Sequence, residues 1–374
     1  MVKKLMTVNK LKSFFNQKVV EDIATNISKN YPGFRAGEFI TEIMRDLPNL
    51  ELKGRGLRIS QGMKVHLPEN FSEAIEILIT SMGKDNGSGG MEGMNGFRYL
   101  PYLNYVGLYG LEYPEISLKT LRHMTLYFSG EFDIRHFIVE HYEVSMDEIR
   151  KWVKDKDWRV RRLVSEGTRP NLPWGIKLNV FVKNPAPIIE LLNQLYLDSH
   201  KSVRKSVANS LNDISKNNPQ IAIETARNWI TASPDSLPLV KHGLRTLIKQ
   251  GNQEALALLG FKANKIYLED FSINRQIIKI GDTLTFSASL TSEESHPVAV
   301  VIDYAIHHMR KNGKTTAKVF KLTQKEFTPG QNITISKTHS FKVISTRKYY
   351  NGEHKLEIFA NGVSVGIKGF TLNA

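Results

Sequence analysis

Cysteine is absent from all 374 residues. Its absence excludes disulfides, thiolate nucleophiles and Cys-based zinc sites together, and suits a reducing compartment. Nowhere do apolar residues run for the roughly 18 positions that a membrane-spanning helix needs. The first stretch, MVKKLMTVNKLKSFFNQ, has basic residues but neither the continuous apolar segment nor the small-residue cleavage site of a secretion signal. A cytoplasmic protein with no membrane partner is expected. Gly87-Ser88-Gly89-Gly90, within KDNGSGGMEGMNG, lacks the Lys-Ser/Thr that a phosphate-binding loop requires and reads as a connection. No Asp/Glu/His group has metal-ligand spacing, which disfavours a metal-dependent nuclease. No metal or other cofactor is expected.

Negative charge is also scarce. Lys and Arg number 51 against 37 Asp and Glu, a formal charge of +14 with a pI near 9.6. The excess is shared: residues 263–374 hold 15 basic and 9 acidic groups, and the first 262 hold 36 and 28. Such a surface favours polyanionic partners, with solubility as the alternative reason for it.

The chain is too long for one ordinary core and long enough for two domains. Up to about residue 262 apolar residues recur at helical spacing, as in FSEAIEILITSM, between punctuation such as KNNPQ and TASPDS. Beyond it the pattern alternates, as in DTLTFSASL, PVAVVIDYAI and KLEIFANGVSVGIKGFTL, bounded by NG, PG and HP turns. Lys311-Asn312-Gly313 and Asn351-Gly352 are hairpin signals. The expected organisation is multi-domain: an all-α helical repeat over 1–262, then an all-β immunoglobulin-like sandwich of six or seven strands over 263–374.

The helical part repeats weakly. Asp157-Trp158-Arg159-Val160-Arg161-Arg162-Leu163-Val164 aligns with His200-Lys201-Ser202-Val203-Arg204-Lys205-Ser206-Val207 at an offset of 43. Leu237 to Lys241 and Ser117 to Arg122 look like further copies. Spacing near 40 residues predicts a HEAT-like solenoid with a long concave face. Arg161, Arg162, Arg204 and Lys205 would make that face a cationic trough, or else solvate helix surfaces.

One segment concentrates unusual chemistry. WRVRRLVSEGTRPNLPWG, residues 158–175, sets four arginines and two tryptophans around the single carboxylate of Glu166. With LKSFFNQKVVEDIA, FRYLPYLNYVGLYGLE, SLKTLRHMTLYFSGEFDIRHFI, VRKSVANSLNDISK, DYAIHHMRKNGKTTAKVFKL and HSFKVISTRKYYNGEH, this segment resembles the AlkC family of bacterial alkylbase DNA glycosylases, in the long form with a C-terminal immunoglobulin-like domain. Asn171 departs from that pattern, where a basic residue is expected.

The resemblance implies a DNA repair enzyme that hydrolyses the N-glycosidic bond of cationic lesions such as 3-methyladenine and 3-methylcytosine in duplex DNA. A base that already carries positive charge leaves neutral and needs no general acid. The reaction instead needs a carboxylate to stabilise the oxocarbenium-like sugar and to aim a water. Glu166, one helical turn beyond Arg162, suits that role, against the plainer reading of an intrahelical ion pair. Glu131, after YFSG, and Asp213, in ANSLNDISK, are further carboxylates for the same site, or a helix N-terminal acid and a surface residue. Trp174, between Pro173 and Gly175, could face the sugar or the cationic base, or close the repeat as a core residue. Trp158 and Trp152 read as core. Arg161, Arg169, Arg204 and Lys205 are expected to grip phosphates, and Lys311, Lys314, Arg347 and Lys348 to do so from loops of the sandwich, closing a clamp. No lysine stands out as a nucleophile, so a monofunctional glycosylase is expected, acting as a monomer in the nucleoid. A non-catalytic repeat scaffold binding DNA or an acidic protein is the rival reading.

Overall fold

A computed structural model describes residues 12–84, 95–262, 265–345 and 347–373. Gly87 to Gly90 lie outside the described residues. Within these bounds the chain forms sixteen α-helices and then eight β-strands, changing character between Leu258 and Ile266. By packing it divides elsewhere, into compact units of residues Val2–Asn218 and Pro219–Ala374. Residue 262 therefore marks a change of secondary structure. The helices Pro219–Ala232, Leu237–Gly243, Arg245–Lys249 and Gln253–Leu258 are part of the unit that contains the sandwich.

In the first unit each helix buries one apolar stripe. The Phe71–Ser81 helix buries Phe71, Ala74, Ile75 and Leu78, the spacing that 3.6 residues per turn requires. Asn70 caps it by accepting from the Glu73 amide at 3.1 Å, with the Glu73 carboxylate in the first turn where the helix dipole favours it. The repeat is visible atom by atom. The Trp158–Gly167 and Lys201–Asn217 helices pack on each other and start at aligned residues, capped by Asp157 and His200. Arg161 donates to the Asp155 and Lys156 carbonyls, and Arg204 to those of Asp198 and Ser199, 43 positions on. Arg122 pairs with Asp155, and Arg161 pairs in the same way with Asp198, Nε to Oδ2 at 2.5 Å and Nη2 to Oδ1 at 3.0 Å. Successive units are thus joined by arginine–aspartate rungs whose fork geometry fixes the approach of one helix to the next.

In the second unit the strands form two sheets, ordered β1-β3-β6 and β2-β8-β7-β4-β5. Their ranges are β1 Ile266–Ile273, β2 Ile277–Lys279, β3 Thr283–Ser292, β4 Val298–Met309, β5 Thr315–Phe327, β6 Asn332–Ser340, β7 Gly352–Ala360 and β8 Val363–Asn373. The inner faces meet through Phe286, Ile302, Tyr304, Phe327, Phe341, Leu356 and Phe370. The architecture is an immunoglobulin-like sandwich. Lys311-Asn312-Gly313 does turn β4 into β5, with Gly313 at φ 75°. Asn351-Gly352, by contrast, is not a hairpin, because β6 and β7 lie in different sheets. The two-residue hairpin is Asn361-Gly362, between β7 and β8, with φ of 44° and 77°. Only glycine fits at 362, where an added Cβ would fall 2.6 Å from the Gly251 Cα. The buried Asn361 amide ties the hairpin to the helices by donating to the Lys262 carbonyl at 2.8 Å. Leu256, Phe261 and Val301 form an apolar cluster on the same seam.

Candidate active site

The Trp158–Gly167 helix carries the core of the site. Its apolar residues Val160, Leu163 and Val164 face inward, leaving Trp158, Arg162 and Glu166 on a second stripe at successive intervals of four. Gly167 closes the helix against Ile134, whose Cγ2 would lie 2.8 Å from an added Cβ.

Three carboxylates from three helical segments are strung together by two arginines. Glu166 Oε1 accepts from Arg169 Nη1 at 2.5 Å, and Oε2 from the Ser206 hydroxyl at 2.6 Å. Ser165 in turn donates to Ser206 at 2.7 Å. Arg162 Nη1 binds Glu131 at 2.8 Å, and Arg162 Nη2 stands 3.9 Å from Glu166. Asp213 is fully buried and accepts from Arg169 Nε at 2.9 Å and Lys216 at 2.8 Å. Burial by itself would push the Glu166 carboxyl up, but Arg162 and Arg169, with the Ser206 hydrogen bond, hold it below the usual carboxylate range. Glu166 is therefore an anion fixed from three sides. It opens on a cleft of about 350 Å³ lined by Trp158, Arg162, Ser202, Lys205, Ser206 and Asn209.

Arg169, expected as a phosphate ligand, is instead only 7 % exposed, with its donors taken by Glu166 and Asp213. The reason is positional: the turn after Gly167 folds back under the helix, so the guanidinium points inward. Arg161 is likewise committed to Asp198 and two carbonyls, and Arg204, half-buried, to two carbonyls. Lys205 is exposed on the wall of the cleft. Asn171 hydrogen-bonds Asn217 at 3.3 Å.

Trp174 is not core. It is 68 % exposed and holds a left-handed φ of 68°, a conformation that costs a bulky residue about 1–2 kcal/mol. The turn is braced by Arg135, which is fully buried and donates Nε to the Ile176 carbonyl at 2.7 Å and Nη1 to that of Gly167 at 2.8 Å. Trp152 is buried, whereas Trp158 is half-buried and stacks on His200 at 3.8 Å between centroids and 18° between planes. Trp158 thus belongs to the cleft, contrary to its reading as core; its spacing of four and eight from Arg162 and Glu166 is the signal for it. Ser206 and Arg135 have no such signal in the sequence.

In the sandwich, Lys311, Arg347 and Lys348 line a cleft of about 710 Å³ with His308, Arg310, Lys318 and Tyr350. Lys314 is exposed on the adjoining β4–β5 turn. Arg347 bonds His308, which burial, then the charge of Arg347, pushes down to about 3.

Known proteins place this geometry. Residues 267–374 match the family of C-terminal Ig-like domains of the uncharacterised protein YhaZ. YhaZ of Bacillus subtilis is 34% identical over 354 residues, covering 94% of this chain and 96% of the relative. The solved structure of Pseudomonas fluorescens alkylpurine DNA glycosylase AlkC, bound to DNA containing an abasic site analog, superposes with a TM-score of 0.89 at 32% identity. It covers 97% of this chain and 99% of that one. The chain belongs to the AlkC family. Membership spans both units, so the carboxylate cluster and the basic sandwich cleft are parts of one full-length AlkC-type protein. Among its described residues no helix is long and apolar enough to cross a membrane.

Proposed function

We propose that this protein is a DNA repair glycosylase that releases cationic alkylated bases, 3-methyladenine and 3-methylcytosine, from duplex DNA by hydrolysis. The observation that carries the reading is Glu166: an ionised, oriented carboxylate at the floor of a cleft with cationic and aromatic walls, in a chain of the AlkC family. The C1′–N bond breaks with its electron pair passing to the base, which thereby loses its positive charge and leaves neutral. The sugar becomes positive, and the fixed charge of Glu166 stabilises it without reorganisation. Water then adds to C1′ and gives up its proton to solvent or to the carboxylate. Because its arginines keep Glu166 acidic, it is a weak base, and its contribution is charge stabilisation and water orientation more than proton abstraction. Glu131 and Asp213 extend the negative field that selects a cationic base over a neutral one.

Trp174 is assigned to the sugar or base, and Arg162 and Lys205 to the phosphates flanking the cleft. Arg161 and Arg204 support the scaffold. Lys311, Lys314, Arg347 and Lys348 add sequence-blind phosphate contacts from the sandwich. No cofactor enters this chemistry, and the protein acts as a monomer on nucleoid DNA. Incubation with duplex DNA carrying methylated bases tests the reading. Free 3-methylpurine or 3-methylpyrimidine, with an intact abasic strand and no β-elimination, is the expected product; binding without base release favours the scaffold.

A further inference from the structure

We propose that Lys53 is a positioning residue that holds Trp174 in its left-handed turn; the inference rests on Trp174 meeting the sugar or base. Lys53 sits on the Leu52–His66 helix, 121 residues earlier, and its ammonium donates to the Trp174 carbonyl at 2.5 Å. That bond fixes the peptide plane between Trp174 and Gly175, the plane that must rotate if φ 68° is to relax. Arg135 fixes the two flanking carbonyls of Gly167 and Ile176, so the apex is held by Lys53 and the base of the turn by Arg135. The closeness of Arg135 to Gly175, 3.1 Å from where a Cβ would stand, leaves the segment little space to rearrange.

Lys53 is itself held in place. Its ammonium lies 4.8 Å from the centroid of the Phe132 ring, a cation–π contact. It lies within electrostatic reach of Asp133, whose Oδ1 accepts from Asn104 at 2.9 Å and whose buried Oδ2 has no hydrogen-bond partner. Asp133 cannot withdraw toward the Leu100–Tyr109 helix, because it already presses on Gly107, where an added Cβ would lie 2.8 Å from Oδ1. An anchored anion and an aromatic face therefore hold the ammonium against one carbonyl.

The test uses full-length protein carrying Lys53→Met, Lys53→Arg, Trp174→Ala or the Lys53→Met/Trp174→Ala pair. Single-turnover release of 3-methyladenine at saturating enzyme is measured beside amide exchange over residues 172–178, where Gly175 N bonds Leu172 O and Leu178 N bonds Pro170 O. Lys53→Met should slow release about tenfold, as misplacement of a contact group does, and speed exchange across the turn. It should add nothing in the Trp174→Ala background, and Lys53→Arg should restore both readouts. Unchanged exchange, or a loss that multiplies with that of Trp174→Ala and flattens the salt dependence of binding, would make Lys53 a phosphate contact and overturn the proposal. If Trp174→Ala releases base at the wild-type rate while Lys53→Met still speeds exchange, the positioning of the turn stands and the assignment of Trp174 fails.

Discussion

Arg169 is shared between two carboxylates, donating Nη1 to Glu166 at 2.5 Å and Nε to Asp213 at 2.9 Å, with its own side chain 8% exposed. A guanidinium so enclosed has no face for a phosphate. Arg169→Ala would leave two buried anions with one positive partner fewer, a change that costs about 3–5 kcal/mol when a buried pair is broken. The variant is expected to unfold at markedly lower urea, to lose base release, and to keep the wild-type slope of log affinity against log salt in its folded fraction. A slope reduced by about one unit would place Arg169 against DNA after all.

Glu166→Gln retains the shape of the side chain and its bond from Ser206 but removes the charge. Release of 3-methyladenine should fall to near background while affinity for duplex DNA stays within a few-fold, measured by single-turnover assay and by titration. The pH profile checks the same assignment. Because Arg162 and Arg169 outweigh burial and hold the Glu166 carboxyl below the ordinary value of 4.5, the wild-type rate should not decline with falling pH until the solution is more acid than that. Decline through a midpoint near 6 would point to a different group.

Sequence spacing goes far for the scaffold and less far for the site. The aligned caps Asp157 and His200 and the aligned Arg161 and Arg204 are visible as a repeat because helix periodicity is local. What those arginines bind is not local. Asp198 lies 37 residues from Arg161, and Asp213 lies 44 from Arg169, so a cation bound by its own scaffold and one left free for DNA look alike in the chain. Trp158 shows the same limit, since a half-buried helical position reads as core until the neighbouring helix supplies His200 and Ser206 to form a cleft. Asn351-Gly352 and Asn361-Gly362 are identical dipeptides, and only strand partners separate the hairpin from the crossing between sheets.

Asp133 gives stability a pH dependence of its own. Burial raises its carboxyl from 3.8 to about 6. Between those values the folded protein keeps a proton that the unfolded chain releases, so this group makes stability fall as pH rises from about 4 to about 6 and adds no further slope above that. The loss is at most about 3 kcal/mol at 1.36 kcal/mol per unit. Asp133→Asn should remove that slope, so that its urea midpoint changes less than wild type between pH 4.5 and pH 7. Equal changes in the two proteins would show that Asp133 titrates normally. Asp303, raised to about 6 by burial, adds a like slope in the second unit and is left intact as an internal control.

The basic cleft of the sandwich calls for a test in the full-length chain. A cut near residue 262 would fall beside Phe261 and Lys262, stripping the partners of Val301 and of the Asn361 amide, so loss of function there would report misfolding as readily as lost contact. Lys311→Ala with Lys348→Ala avoids this, because both residues flank the cleft and the nearest interaction lost is that of Lys348 with the Tyr350 ring at 5.7 Å. If each lysine meets a phosphate, the pair of substitutions should weaken duplex binding and lower the salt slope by about two units. Release from the saturated complex should be unchanged, since Glu166 and its arginines lie in the other unit. The contribution should also be the same at pH 6 and pH 8: His308, pushed down to about 3, stays neutral throughout, and the remaining charge of the cleft comes from lysines and arginines. A salt slope identical to that of the wild type would remove this cleft from the DNA-binding surface.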